Sequence, residues 1–591
     1  MIRLNIFAGS VYIKPNAINN LNAAIKFIMN NLLASQFPFS INKIKNKESG
    51  VLYLAMFVMG ACGLAYEYTL SKIASDLLGN SVRQWAIVIG VMMFFMGVGS
   101  DTQKYFSDNL VDKFVLFEII LGFLGAFGPI VLLYSYGNFP DHYILIQYLF
   151  ICAIGLIIGF EIPLITRINE TFISELKLNI GAVLKMDYVG ALAGSLAWIF
   201  ILPKFFSITE TAFILGILNV LVGGFTLYFF RKYIANKLVI ALLFAAVFIA
   251  VICGARSSKS WTSYSEQYLY RDKIVLSRTT PFQHIVVTKT SANDILCYIN
   301  GHLQFNSFDE FIYHENLVHP AFLIAEKHDK VLILGGGDGL ALREVLKYPD
   351  VKTVTLCDID PAMTTIAKEN KYFTKLNQNS LTNSKLTILK NNALTPAGKV
   401  TLETMNQKNP LKNDYEPVTE INVINLDASK FLEQISGLYD IIIIDFPDPN
   451  SPDLAKLYSV QFYENVAKKL TPFGILVQQS TSPIHARKAF LCIGKTMQAA
   501  GLEVIPYHDN VPSFGEWGWW IGGKQKSYAA AALQNKIKQI ETIPVQTRYL
   551  TVELIQASLN FGKNQLESNN IQVNTLTDNS VFEYYLQAWN R

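Results

Sequence analysis

Charge is what this sequence is short of. Asp, Glu, Lys and Arg make up 16% of its 591 residues, against ~25% in a typical soluble protein. Mean hydropathy is +0.27, so part of the chain is expected in lipid. The formal net charge of +4 is small for the length, and no Lys/Arg block is interleaved with aromatics. A nucleic-acid partner is therefore not expected. Cysteines are few and unpatterned. Cys62, Cys152, Cys253, Cys297, Cys357 and Cys492 show neither CxxC nor metal-ligand spacing. That excludes a disulfide framework, gives no reason to expect a metal, and predicts buried thiols in a reducing compartment.

Long apolar runs take the place of the missing charge. Seven of them, at about 51–70, 84–101, 114–136, 143–166, 183–202, 209–230 and 237–254, alternate with short polar loops. Each approaches the ~20 residues a helix needs to cross a bilayer. A multi-pass α-helical membrane half is expected at 49–256. The 1–48 extension contains "LNAAIKFIMNNLLASQF", broken by Lys26 and asparagines and followed by no small-residue cleavage site. It reads as an interfacial helix or a disordered extension, not a secretory signal. Glu67, Glu118, Glu161, Asp187 and Glu210 fall in or beside the apolar runs. Acids at membrane depth are costly and mark functional positions. The plainer reading puts them at helix ends or in pairs with Lys72, Arg167 or Lys185; the sharper one is a polar pathway for an organic cation.

After Arg256 the pattern changes. "QHIVVTKT" and "ILCYINGHLQF" alternate as strands do, with Asn300-Gly301 as a hairpin turn. From Lys330 strands and helical patterns alternate: "KVLILGGGDG", "LALREVLKY", "TVTLCDIDP", "INVINLDA", "YDIIIID", "SVQFYENVAKKL", "GILVQQS". This rhythm predicts a parallel, doubly wound sheet. Residues from about 391 to 420 read as an insertion, and those after about 527 as a helical tail without a chemical motif. The three glycines after "VLIL" allow a tight turn against a ligand. Asp338 in that turn suits a neutral or positive ligand better than a pyrophosphate. Asp358 ends the next strand, where an acid can accept from both ribose hydroxyls; Asp360 before Pro361 fits a helix cap. Asp427 stands at a further strand end, and Asp445 and Asp448 at another. Acids converging on the carboxyl edge of one sheet make a pocket that attracts cations.

"FQHIVV", "DEFIYHENLVHP", "ILGGGDGLALREV", "CDIDP" and "IIIIDFPDP" resemble, in order and spacing, the motifs of the spermidine synthases, the polyamine aminopropyltransferases. The resemblance runs from about Tyr264 to Lys524. With the apolar half and "VPSFGEWGWW", the chain looks like the membrane-anchored branch of that family. The resemblance implies a small β-domain (257–328) before a Rossmann-like, class I methyltransferase-like domain (329–527), with a tail at 528–591. It implies transfer of an aminopropyl group from decarboxylated S-adenosylmethionine, a co-substrate, to putrescine or a related polyamine, with no cofactor. Carried over by residue, Gln283 would contact the thioether, Asp358 the ribose, and Asp427 with Ala428 the adenine. His314, Asp338 and Asp448 would meet amine groups, and Asp445 would accept the proton. The sequence departs from the family in having Asp358 where glutamate is usual, and Phe446-Pro447 where Ser-Ser is usual. "KLTILKNNA" could mimic the adenine-binding strand but offers Asn392 instead of an acid, so Asp427 is preferred.

An ammonium titrates near ~10 and has no lone pair, so a carboxylate at the reacting end has a proton to accept and others can hold the distal cation. Two alternatives remain: an S-adenosylmethionine-dependent methyltransferase, whose donor carries an α-carboxylate that Asp338 would repel, and a non-catalytic polyamine-binding membrane transporter or sensor. The expected partners are polyamine and nucleoside substrates and the lipid bilayer, with a homo-oligomer left open. A cell (inner) membrane location is expected. Lys43, Lys45 and Lys47, with Lys104/Lys113, Arg167/Lys177 and Arg231/Lys232/Lys237 in later loops, should lie in the cytoplasm, which over seven spans would put the chain after Gly254 outside. The donor nucleoside is made in the cytoplasm, so the catalytic half is expected there. One apolar run is then re-entrant or miscounted, or the 20–37 stretch spans.

Overall fold

The computed structural model describes residues 2–6, 9–13, 47–78, 81–173, 175–382, 386–389 and 419–589. The chain divides into two compact units, one of 1–74 and 83–262, the other of 75–82 and 263–591. The 20–37 stretch, Asn392 and nearly all of the 391–420 insertion lie outside the described residues.

Among its described residues the first unit holds seven helices long and apolar enough to cross a membrane: Lys47–Leu78, Ser81–Thr102, Leu110–Asn138, Pro140–Asn169, Leu176–Phe200, Ile208–Phe229 and Lys237–Gln267. Each expected run has its helix. The last extends beyond the apolar run because "ARSSKSWTSYSEQ" is polar but contains no Pro or Gly to stop it. The extension holds an unforeseen antiparallel ribbon of β1 (Ile2–Ile6) and β2 (Gly9–Ile13). Helices Leu110–Asn138 and Ile208–Phe229 meet where a Cβ on Gly216 would lie 2.5 Å from the Gly122 carbonyl oxygen, the close approach that small residues allow in apolar bundles.

The acids of this unit divide in two. Glu210 closes a capping box with Ser207 and pairs with Lys259 at 3.3 Å. Glu118 and Glu161 are instead buried mid-helix, and Asn219 Nδ2 donates to Glu118 Oε2 at 3.0 Å. Arg167 serves neutral amide oxygens rather than an acid, donating to the Gln103 side-chain Oε1 at 2.8 Å and the Phe106 carbonyl at 2.7 Å. All six thiols are free; Cys253, expected to be buried, lies on an exposed helix face.

In the second unit, β3 (Lys273–Thr279), β4 (His284–Lys289), β5 (Ile295–Ile299) and β6 (His302–Asn306) form an antiparallel sheet in chain order. Asn300 and Gly301 turn β5 into β6 with φ of 50° and 82°, as a two-residue hairpin loop requires. The larger sheet has eight strands: β7 (Lys330–Gly335), β8 (Thr353–Asp358), β9 (Leu386–Leu389), β10 (Glu420–Asn425), β11 (Tyr439–Asp445), β12 (Leu470–Gln479), β13 (Leu502–Val511) and β14 (Gly515–Lys524). Their order is 13-14-12-11-7-8-10-9. Six are parallel, as the sequence predicts. β14 runs antiparallel to both β12 and β13, because three residues between β13 and β14 are too few for a parallel crossover. The four isoleucines of β11 alternate: Ile441 and Ile443 enter one hydrophobic core, Ile442 and Ile444 the other. A strand buried on both faces explains the unbroken apolar run.

Candidate active site

Parallel register builds the site edge. Asn425 pairs with Asp358 and Asp445 with Gly335, so β7, β8, β10 and β11 end together. Past these ends the chain must turn, and the turns carry the acids. Gly335, Gly336 and Gly339 adopt positive φ. A Cβ on Gly337 would stand 2.5 Å from Asp358 Oδ2, and in its absence the Gly337 amide donates to that oxygen at 3.1 Å. The Asp360 amide donates to Asp358 Oδ1 at 2.8 Å. Asp360 itself caps the next helix, accepting from the Ala362 amide at 2.9 Å, as its place before Pro361 predicts. Its other oxygen accepts from Thr280 Oγ1 at 2.9 Å, and the Gln283 amide donates to the same hydroxyl. That tie brings Gln283 from the small sheet to the edge of the large one.

β10, and not β9, lies beside β8; Asp427 follows it and caps the helix Ala428–Gln434 through the Lys430 amide. Ala428 is buried beneath that turn. Asp338 accepts from the Leu340 amide at 2.8 Å. Asp445 accepts from the Tyr313 hydroxyl at 2.6 Å, and Asp448 from Thr481 Oγ1 at 3.2 Å. Asp448 Oδ1 has no close hydrogen-bond partner among the described residues.

Burial sets the charge of these groups. It pushes Asp358 up to about 7, with the charges of Asp360 and Asp338 adding to the rise. It pushes Asp338 up to about 6, although His314 pulls the other way, and Asp448 up to about 6. Asp445 is raised by burial against the opposing pull of His314 and Tyr313. His314, on the helix Glu310–Ile324, is the counterweight. Burial alone would lower it, but the Glu310 carboxylate, with Asp338 and Asp445, raises it to about 9. Its Nδ1 lies 2.9 Å from Glu310 Oε2, and Glu310 also takes both Arg343 terminal nitrogens at 2.7 and 3.0 Å. Arg343, Glu310 and His314 thus carry positive charge to the acidic edge.

Tyr313, Glu310, Arg343 and Thr481 were not foreseen. Tyr313 is adjacent to His314 in "DEFIYHENLVHP", and a tyrosine next to a candidate site histidine on a helix is the available signal. Phe446 is not in the site. Its ring packs against Phe462 at 5.7 Å in the core beneath the loop, and Gln479 Nε2 donates to its carbonyl. The loop's departure from the family pattern therefore alters support below Asp445 and Asp448. Glu315, His319 and Glu344 offer ligand atoms within 4.8 Å of one another, but Glu315 already accepts three backbone amides, of Arg548, Tyr549 and Leu550. Glu344 takes His319, Arg343 and Lys347. These groups bind structure together and have no spare capacity for an ion.

A spermine/spermidine synthase domain model matches residues 310–403 and 399–535. The chain is 36% identical over 541 residues to a polyamine aminopropyltransferase of Leptospira interrogans, covering 91% of this chain and 99% of the relative. It is 34% identical over 549 residues to a polyamine aminopropyltransferase of Oceanobacillus iheyensis, covering 92% and 98%. A solved spermidine synthase from Thermotoga maritima aligns at 20% identity and a TM-score of 0.39, covering 50% of this chain and 87% of that one. With relatives above 30% identity matched along nearly their whole length, the chain belongs to the polyamine aminopropyltransferase family.

Proposed function

We propose that this chain is a membrane enzyme that transfers the aminopropyl group of decarboxylated S-adenosylmethionine to putrescine, giving spermidine and methylthioadenosine. The observation that carries the reading is Asp445: a half-buried strand-end carboxylate held by the Tyr313 hydroxyl at 2.6 Å, on the edge that also bears Asp338, Asp358 and Asp448. In the reaction the amine nitrogen attacks the carbon next to the sulfonium. An N–C bond forms, the C–S bond breaks with its pair going to sulfur, and the nitrogen's proton passes to Asp445. The sulfonium leaves as a neutral thioether. Asp358 and Asp427 with Ala428 take ribose and adenine, Gln283 the thioether side. Asp338 takes the donor's amine, with His314 behind it, and Asp448 the distal ammonium of the acceptor. Holding nitrogen, carbon and sulfur in line supplies much of the remaining rate.

Full S-adenosylmethionine would place an α-carboxylate against Asp338 in a partly dry cleft, which disfavours methyl transfer. Seven helices of membrane-spanning length, with large apolar side chains such as Phe94, Leu192 and Leu238 turned outward, support placement in the cell membrane; the origin of the donor supports a cytoplasmic catalytic half. The test is product analysis with the purified full chain. Methylthioadenosine should form with the decarboxylated donor and putrescine, and methyl transfer from the full donor should not occur. Ligand binding without methylthioadenosine from any candidate amine would favour a sensor or transporter instead.

A further inference from the structure

The matched domain ends at residue 535, yet a later segment reaches the site. Asn574, fully buried, fastens it: its Nδ2 donates to the Ala455 carbonyl at 2.8 Å, its amide to Thr496 Oγ1 at 3.0 Å, and its carbonyl accepts from the Val460 amide at 2.9 Å. Ala455 and Val460 belong to the chain that leaves Asp448. The last described helix, Ser580–Trp589, then lays Val581, Phe582 and Tyr585 into the same core as Phe446, Tyr458 and Phe462. Tyr585 is the member with a polar end, and its hydroxyl is directed to the Asp448 carboxylate. Trp589 stands behind it, its ring 6.0 Å from that of Tyr585 and 6.3 Å from that of His485.

Gln479 and Thr481 also face Asp448, and Thr481 is strained. Thr481 holds φ at 61°, a conformation a β-branched residue rarely adopts, and in it donates Oγ1 to Asp448 Oδ2 at 3.2 Å. Strain of this kind persists where surroundings impose it and clusters at ligand sites. Asp448 Oδ1 remains buried without a close partner among the described residues, an open acceptor for a cation.

We propose that Tyr585 is a positioning residue for Asp448, and that the helix carrying it forms the far wall of the acceptor site, which selects a short diamine over longer polyamines. Thr481, Gln479 and Tyr585 orient the carboxylate so that Oδ1 receives the distal ammonium. Carbon chain beyond that ammonium meets the Tyr585 and Trp589 rings. The inference rests on the aminopropyl-transfer reading.

Its test compares the full-length wild type with Tyr585→Phe and Trp589→Ala, following methylthioadenosine with putrescine and with spermidine as acceptor. Tyr585→Phe removes a hydroxyl that faces a charged group, so the putrescine KM should rise, by roughly tenfold at most, with kcat and the donor KM nearly unchanged. The acid limb of kcat/KM for putrescine should move to higher pH, because Asp448 loses a donor that favours its ionised form. Trp589→Ala should raise the ratio of spermidine to putrescine use. A Tyr585→Phe enzyme with unchanged putrescine KM and acid limb would overturn the inference while leaving the reaction intact. An equal loss for donor and acceptor would also overturn it, by showing a merely structural helix. No methylthioadenosine from the wild type would overturn the underlying reading itself.

Discussion

Replacing Asp338 by Asn should stabilise the empty enzyme while weakening its hold on aminopropyl-bearing ligands. Burial raises this carboxyl from its ordinary 3.8 to about 6, a net rise of roughly two units, or about 3 kcal/mol at most. Because Asp338 is only partly shielded from water, an effect of ~1–3 kcal/mol is expected. A carboxyl whose pKa is higher in the folded state binds its proton more tightly there than when unfolded. Its cost to folding is absent below 3.8, grows as pH rises to about 6, and is complete above that. Asn carries no such cost, and its Oδ1 can still accept from the Leu340 amide. Denaturation midpoints of variant and wild type should therefore nearly coincide at pH 4 and separate in favour of the variant by pH 7.5. Binding should move the other way. Removing one partner of a buried charge pair costs roughly 3–5 kcal/mol, so calorimetric titration should show a large loss for decarboxylated S-adenosylmethionine. Methylthioadenosine, which lacks the amine, should bind almost normally. Equal weakening of both ligands, or a variant less stable than wild type at pH 7.5, would refute the charge argument and leave Asp338 a loop-shaping residue.

Asp445→Asn should bind donor nearly normally and lose ~10²-fold or more in turnover, with partial recovery at raised pH; near-normal turnover would make Asp445 a binding group. Tyr313→Phe removes the donor 2.6 Å from Asp445, so the acid limb of the turnover profile should rise by about one unit, and an unmoved limb would separate Asp445 from that limb. Reporter fusions placed after Arg256 should give a cytoplasmic signal, and an external signal would refute the proposed orientation.

The parts of the site that were legible in the sequence are those fixed by local pattern. Strand parity sends Ile441 and Ile443 one way and Ile442 and Ile444 the other, so Asp445 falls at the strand end whatever the rest of the chain does. The glycine turn after β7 and the cap at Asp360 are equally local. What stayed hidden is set by pairing across the chain. Tyr313 and Asp445 lie 132 residues apart, and no spacing rule joins them. Phe446 read only as a departure from the family's loop pattern, because nothing in the sequence says that the turn rotates its ring into the core. The helical tail offered no motif because its contribution at Asp448 is a single tyrosine, meaningful only once Asn574 has fastened the segment. In the apolar half, run length gave the helices, whereas the partners of Arg167 and Glu118 depended on which helices touch.

The charge balance of the edge gives His314 and its supports a part in the proposed mechanism. Asp338, Asp358, Asp445 and Asp448 together cannot all ionise cheaply when buried, and each is raised above its ordinary range. His314, held near 9 by Glu310, keeps part of this acidity ionised at neutral pH without a ligand. Donor and acceptor then arrive as cations, a sulfonium and an ammonium, and each lowers the cost of ionising the carboxylates around it. In the proposed reaction cation binding and base formation are thereby linked: Asp445 would become a full carboxylate most readily when the amine it is to deprotonate is present. A fixed second cation directly on Asp445 would remove that linkage, holding the base ionised but too weak to take a proton. His314 Nδ1 is held by Glu310 at 2.9 Å and the hydrogen bond to Asp445 comes from the neutral Tyr313 hydroxyl, so the imidazolium acts on Asp445 through its charge, which in the proposed reaction leaves the carboxylate's proton-accepting capacity to the substrate.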